Sequence, residues 1–195
     1  MIAIETQLLL LRNFRAEDAD SLQKIIIQKE TAEYAAYDYE WPTSLEKIKE
    51  DTAWFANQDS FMAVCLKETG KLIGMISLDP PEGFWYDNWH FNLGFDFDFD
   101  YHGQGYATEG CKALVNYAFY KIKAECITSE TAACNRPAWR LLERIGFKKI
   151  GQRTFSYRNT PDGKPIEFTG WEYALSREDW SKNQAEPGHQ RVIGE

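Results

Sequence analysis

Long apolar runs, surplus cations, paired cysteines and histidines are all scarce in this chain of 195 residues. The longest apolar run of the amino terminus, Leu8 to Leu11, is far too short for a signal-peptide core or a membrane span. Met1-Ile2-Ala3-Ile4-Glu5 has no cationic lead-in either, so cytoplasmic residence is the expectation. Lys and Arg number 22 against 30 Asp and Glu, a formal charge of −8. Nucleic acids and anionic membranes are held by cationic patches, so neither is an expected partner, and cationic partners are favoured instead. Cys65, Cys111, Cys126 and Cys134 form no Cys-x-x-Cys pair and have no histidine at ligand spacing, so no metal is expected. A chain of this length needs no disulfide staple, and reduced, buried thiols are expected. No repeat and no Ser/Gly-rich linker interrupts the chain, which divides most simply into one domain over 1–180 and a polar tail at 181–195.

What is present is a large apolar fraction, 44%, with 15% aromatic residues, enough for one sizeable core. Thr6–Arg12 reads as a strand, and Arg15-Ala16-Glu17-Asp18 opens a helix with Leu22, Ile25 and Ile26 on one face. Thr43-x-x-Glu46 is a capping box that predicts a helix over Ser44–Ala56, with Leu45, Ile48, Thr52 and Phe55 inward. Ser60–Leu66 and Lys71–Leu78 flank a turn and form a hairpin, and Asn88–Asp98 is a third long strand. A buried stripe predicts a helix over Gly105–Lys121; a strand over Ala124–Thr131 and a helix over Asn135–Ile145 follow, with Gly146 ending the latter. Two strands, near Phe147–Arg158 and Ile166–Leu175, close the chain around Thr160-Pro161-Asp162-Gly163. The order implies an α/β (α+β) domain: a mixed, mostly antiparallel sheet of about seven strands with about four helices.

The strand Asn88–Asp98 leads into His102-Gly103-Gln104-Gly105 and a helix. Glycines between a strand and a helix let the backbone approach an anion and leave the first helical N–H groups pointing at it. The dinucleotide fingerprint fails, because its third glycine is Thr108, and the P-loop Gly-Lys-Ser/Thr is absent. The whole segment Gly94 to Glu109, followed by Asn135-Arg136-Pro137-Ala138-Trp139 through Gly146-Phe147, resembles the GNAT family of acetyl-CoA-dependent N-acetyltransferases, and its RimJ/RimL-like branch in particular. The opening Leu9-x-Leu11-Arg12-x-Phe14 and the closing Leu175-Ser176-x-x-x-Trp180 extend the resemblance over residues 6–178.

The resemblance implies a GNAT-like fold and transfer of an acetyl group from acetyl-CoA to an amine, of a small molecule or of a peptide amino terminus. It implies that N–H groups across His102, Gly103, Gln104, Gly105, Tyr106, Ala107 and Thr108 cradle the cosubstrate's pyrophosphate. The main chain of Phe97, Asp98 and Phe99 would pair with pantetheine and polarise the acetyl carbonyl, and Asn135 would contact the pantetheine arm. It also implies that a homodimer can form. Three positions depart from the family pattern: His102 begins the turn, Ala138 replaces a serine, and Leu142 stands where other members carry an acidic tyrosine. A catalytically idle acyl-CoA-binding or sensor module is therefore the alternative.

The amine must lose a proton before it attacks. His90, on the strand entering the turn, is a candidate base because an ordinary histidine titrates near ~6.5; it equally suits a strand histidine paired to its neighbours. Asp96 is the next candidate, as a base or an ammonium anchor, together with Asp98, although carboxylates alternating with phenylalanines also describe a half-solvated strand. Asp96, Asp98 and Asp100 do not form a calcium loop, since Tyr101 and Ala107 occupy its glycine and glutamate positions. Cys134 could act as a nucleophile, but direct transfer needs none. The resemblance implies that the loop after the first helix and the segment before the third long strand border the acceptor, which makes Tyr37, Tyr39, Trp41, Trp85, Tyr86 and Trp89 candidates for an acceptor wall; core and loop packing is the other reading of each.

Overall fold

The computed structural model describes residues 3–79 and 90–184. The strands are β1 (Ala3–Glu5), β2 (Leu9–Arg12), β3 (Phe61–Leu66), β4 (Leu72–Asp79), β5 (His90–Phe97), β6 (Cys126–Ala132), β7 (Lys148–Phe155) and β8 (Phe168–Ser176), with β3 and β4 near-continuously apolar because both of their faces are covered. They build one sheet in the order β1-β2-β3-β4-β5-β6-β8-β7, antiparallel throughout except between β5 and β6. The helices are α1 (Ala19–Glu30), α2 (Leu45–Phe55), α3 (Tyr106–Tyr117), α4 (Arg136–Arg144) and α5 (Arg177–Gln184). No described helix is long and apolar enough to cross a membrane.

The expected fold class is present with one more strand and one more helix. The strand expected from Thr6 is the second arm of a hairpin: the Thr6 N–H donates to the Leu9 carbonyl, 2.9 Å, and its hydroxyl accepts from the Leu9 N–H, which turns the chain between β1 and β2. The additional helix, α5, is held by Trp180, a buried indole whose Nε1–H donates to Asn116 Oδ1 at 2.8 Å. At α2 the capping box is offset by one residue. Ser44, not Thr43, caps it by accepting from the Lys47 N–H, while the Thr43 carbonyl accepts from Gln23.

Alternation along β3 divides the interior. Met62 and Val64 face a core shared with Leu114 and Phe119 near α3, Leu142 of α4 and Trp180 of α5. Ala63 and Cys65 face the other way, onto Leu22, Ile25 and Ile26 of α1 and Ile48 and Phe55 of α2. That second core draws its strand residues from β3 and β4 only. Over β5 to β8 the same face carries charged residues instead, including Asp96, Glu130, Arg153 and Glu172. All four cysteines are free thiols. Cys65 and Cys111 are buried as expected and Cys126 is half-buried, but Cys134 is exposed, because it lies in the turn before α4 where the chain runs on the surface.

Candidate active site

β5 and β6 are paired over three residues only, His90–Cys126, Phe91–Ile127 and Asn92–Thr128. Beyond that point β5 remains bonded to β4 as far as Phe97–Gly74, while β6 remains bonded to β8 as far as Ala132–Gly170, so the sheet opens as a V. At the vertex the buried Ser129 hydroxyl donates to the Leu93 carbonyl, 2.8 Å. The Asp98 N–H donates to the Ile73 carbonyl, 2.9 Å, which fixes the phase of the β4–β5 ladder. Main-chain groups of Gly94, Asp96 and Asp98 therefore point to β4, and those of Phe95 and Phe97 point into the opening.

The free edge is thus displaced towards the start of the expected segment Phe97–Phe99. Asp98 and Phe99 are already engaged: the Asp98 carbonyl accepts from Tyr101, and the Phe99 N–H donates to Gln28 Oε1 at 2.8 Å. The Asp98 side chain is only 2% exposed and faces α1, where it accepts from Lys24, Gln28 and the Asp100 N–H. Burial opposes its charge, but these donors outweigh it and hold its carboxyl below the usual range.

A cleft of about 890 Å3 fills the V and continues onto the α3 N-terminus. There Gly103 (φ +74°) and Gly105 (φ +91°) adopt left-handed backbone that glycine reaches without strain. No side chain caps α3, so the N–H groups of Tyr106, Ala107 and Thr108 lack partners, and none of the N–H groups from Gly103 to Thr108 has an acceptor among the described residues. His102 is set apart from them: its N–H donates to the Phe99 carbonyl, and its Nε2 lies 3.0 Å from the Phe97 carbonyl. Gln104 and Tyr106 are not on the cleft wall: the Gln104 side chain donates to the Asp100 carbonyl and Tyr106 packs against the core. Two cations that sequence reasoning missed border this end: Arg144, which donates to Thr108 Oγ1 at 3.2 Å, and Arg140. Asn135 lines the cleft; its Oδ1 caps α4 by accepting from the Ala138 N–H, which leaves the amide nitrogen for the cleft. Leu142 is fully buried in the core and supplies no acid.

The opposite end is built from side chains. Lys29, 11% exposed, reaches Asp96 at 3.3 Å and Asp38 at 3.1 Å and lies over the Trp41 ring, 5.4 Å from its centroid. Burial lowers the affinity of Lys29 for its proton, but Asp96 and Asp38 outweigh burial and raise it. Asp96 lines the cleft and is pushed up by burial, with Lys29 pulling the other way. Arg158 holds Glu30 by two bonds of 2.8 and 2.9 Å and also donates to the Asp38 and Tyr39 carbonyls, tying the loop after α1 to the segment after β7. Tyr37, Tyr39, Trp41 and Tyr157 form an aromatic wall. Burial and the neighbouring Glu130 raise the Tyr157 hydroxyl, which donates to that carboxylate.

The structure therefore brings together the turn, Asn135, Phe97, Asp96, Tyr37 and Trp41. It does not bring in His90, which is exposed at the start of β5 and absent from the cleft wall. Trp85, Tyr86 and Trp89 lie outside the described residues. Lys29, Glu30 and Arg158 gave no signal, because charges at a helix end and in a loop read as solvated surface until their partners are known.

The domain that carries this cleft is shared with known proteins. The acetyltransferase (GNAT) domain family matches residues 9–148. The chain belongs to the GNAT family. Within it, the chain is of the RimJ/RimL-like branch, and it is an acetyl-CoA-dependent N-acetyltransferase. This GNAT protein is 24% identical over 184 residues to a Bacillus subtilis relative named an uncharacterised N-acetyltransferase, YnaD, covering 91% of this chain and 99% of that one. Its fold matches a GNAT acetyltransferase of Bacillus anthracis with a TM-score of 0.74 at 22% identity, over 91% and 99% of the two chains. It also matches a ribosomal-protein-S5-alanine acetyltransferase of Vibrio fischeri, TM-score 0.72 at 16% identity, over 92% and 99%. Membership decides for an enzyme over the idle binding module.

Proposed function

We propose that this GNAT enzyme moves the acetyl group of acetyl-CoA directly to a primary amine, either the α-amine of a peptide or protein or that of a small molecule. The observation that carries this reading is the continuity of one cleft from the unpartnered N–H groups at Gly103–Thr108 to the carboxylate and aromatic wall around Asp96 and Trp41. The cosubstrate's phosphates match the first end: aligned N–H groups at a helix start favour anions, and Arg144 adds charge beside Thr108. Its amide-bearing arm matches the free edge, where the Phe95 main chain and the Phe97 N–H supply ladder groups and Asn135 an amide. When bound, acetyl-CoA supplies an activated acetyl thioester.

This chain's residues orient the two partners. The aromatic wall and Asp96, anchored by Lys29, suit an organic ammonium. The missing acid at Leu142 is no obstacle, because a thiol with a pKa near ~8.5 leaves readily as thiolate near neutrality. Proton removal is the harder step: an α-amine with a pKa near ~8 is about a tenth free base at pH 7, against roughly one in two thousand for a lysine side chain. α-Amines and amines of depressed pKa are thus the favoured acceptors. The test is free-thiol release from acetyl-CoA with a panel of amines and amino-terminal peptides. Turnover with at least one α-amine is expected, and measurable acetyl-CoA binding with no turnover on any acceptor would sink the reading.

A further inference from the structure

Among the described residues, four carboxylates line the cleft: Asp38, Asp79, Asp96 and Glu130. Three are ion-paired within the protein, two of them sharing a single lysine. Lys29 pairs with Asp38 and Asp96 at 3.1 and 3.3 Å, and Arg153 pairs with Glu130 at 2.9 Å. Asp79, the last residue of β4, forms no ion pair with any described residue, and the ten residues that follow it, Pro80 to Trp89, contain no Lys, Arg or His. Ser77 and Ser60 hydroxyls favour its charged form, burial disfavours it more strongly, and no charged group from β3, β5 or the segment before β3 contributes. A half-buried carboxylate facing a cleft without a counter-ion has its electrostatic need unmet.

Its position relative to the vertex matters as much. The register places Asp79 opposite Asn92, Ser77 opposite Gly94 and Met75 opposite Asp96, so Asp79 and Asp96 share one face of the sheet. Asn92 is the last residue of β5 still paired with β6. Asp79 is thus level with the vertex, one strand away, whereas Asp96 is four residues farther along β5, about 13 Å at ~3.3 Å per residue. A chain entering from the turn end and following the free edge past Phe97 and Phe95 carries its reactive end towards the vertex and so towards Asp79.

We propose that Asp79 is the catalytic base, docking the acceptor's ammonium at the vertex and taking its proton. This rests on the amine-acetylation reading above. The ammonium gives one proton to the Asp79 carboxylate, and the nitrogen's freed electron pair forms the C–N bond with the acetyl carbon. The C–S bond breaks, its electron pair leaves on sulfur, and the nitrogen's second proton reaches the thiolate through water. Asp79 then returns its proton to water. Asp96, already held by Lys29, acts as part of the acceptor wall.

The experiment compares Asp79→Asn and Asp96→Asn in the full-length enzyme by kcat and kcat/KM against pH, with acetyl-CoA affinity measured by calorimetry as a check on folding. Asp79→Asn, nearly isosteric, is expected to lower kcat by about 100-fold or more, the usual contribution of a general base. It should also abolish the lower-pH rise in kcat/KM and leave acetyl-CoA affinity unchanged. Asp96→Asn is expected to raise the amine KM and keep that rise. An Asp79→Asn enzyme with wild-type kcat, with an intact lower-pH rise, or with acetyl-CoA affinity falling in parallel would overturn the assignment alone. A wild-type enzyme that binds acetyl-CoA and acetylates no amine would overturn the underlying reading as well.

Discussion

The two ends of the cleft are made of different material. The turn end is continuous in sequence and consists of main-chain N–H groups, two left-handed glycines and an uncapped helix. The acceptor end is assembled from α1, the loop after it, β4, β5, β6 and the segment after β7, and it works through charges that meet only in the folded chain: Lys29 with Asp96, Glu30 with Arg158. A main-chain donor keeps its role whatever surrounds it. A carboxylate changes role with its neighbour, and within one cleft the same residue type serves as a pinned wall at Asp96 and, among the described residues, stands without a counter-ion at Asp79.

The contrast can be broken first at Lys29. Lys29→Met leaves the partly buried Asp96 and the exposed Asp38 without their shared cation, and a loss of about 2 kcal/mol in urea unfolding at pH 7 is expected, the scale for leaving a partly buried polar group without its partner. The deficit should shrink as pH falls, because the orphaned Asp96, its carboxyl pushed up by burial, becomes neutral; a pH-independent deficit would contradict the pairing. At the other end Gly105→Trp forces a side chain onto left-handed backbone and crowds the turn, so acetyl-CoA affinity should fall by about 100-fold or more in calorimetry, with φ +91° alone costing about 1–2 kcal/mol. Retained affinity would remove the phosphate assignment.

Asp98, between the two ends, bears on stability. Its carboxyl titrates below the usual range, so the stability it contributes is complete above the ordinary Asp value near ~3.9 and is lost as pH falls through the lowered one. Asp98→Asn should cost about 2 kcal/mol at neutral pH, the scale of charged hydrogen bonds, and should flatten the acid limb of the unfolding profile. Arg158→Met is expected to loosen the loop at Asp38–Tyr39 and raise the amine KM about tenfold, or ~1.4 kcal/mol, without altering acetyl-CoA affinity. The smallest effect is expected from Arg144→Ala. Acetyl-CoA affinity should drop about threefold at low salt and converge with wild type near ~1 M salt, as exposed charges are screened.

Much of the fold was legible in sequence because it follows from periodicity. Leu22, Ile25 and Ile26 face inward on α1, as do Ile48, Thr52 and Phe55 on α2, and Gly146 ends α4 with φ +104°. The departures are local competitions: Thr6 turning the chain back on Leu9, Ser44 outdoing Thr43 as a cap, and Cys134 falling on a turn. In the site, the glycines and Asn135 were visible, and the free strand edge was placed two residues late, since ladder phase depends on how β5 registers against β4. His90 was chosen for its chemistry, and the structure places it exposed at the start of β5 and off the cleft wall.

By itself the sequence determined the anion-binding turn and the helix behind it, because backbone conformation there is set by residues in direct succession, Gly103 and Gly105 above all. The acidic surplus was also legible in sequence. Which of those acids stay unpaired was decided only by the tertiary structure: Lys29 lies 67 residues from Asp96 in sequence and 3.3 Å from it in the fold, while no cation among the described residues comes to Asp79. Charge acts through space, and the chain has to close before its neighbours exist.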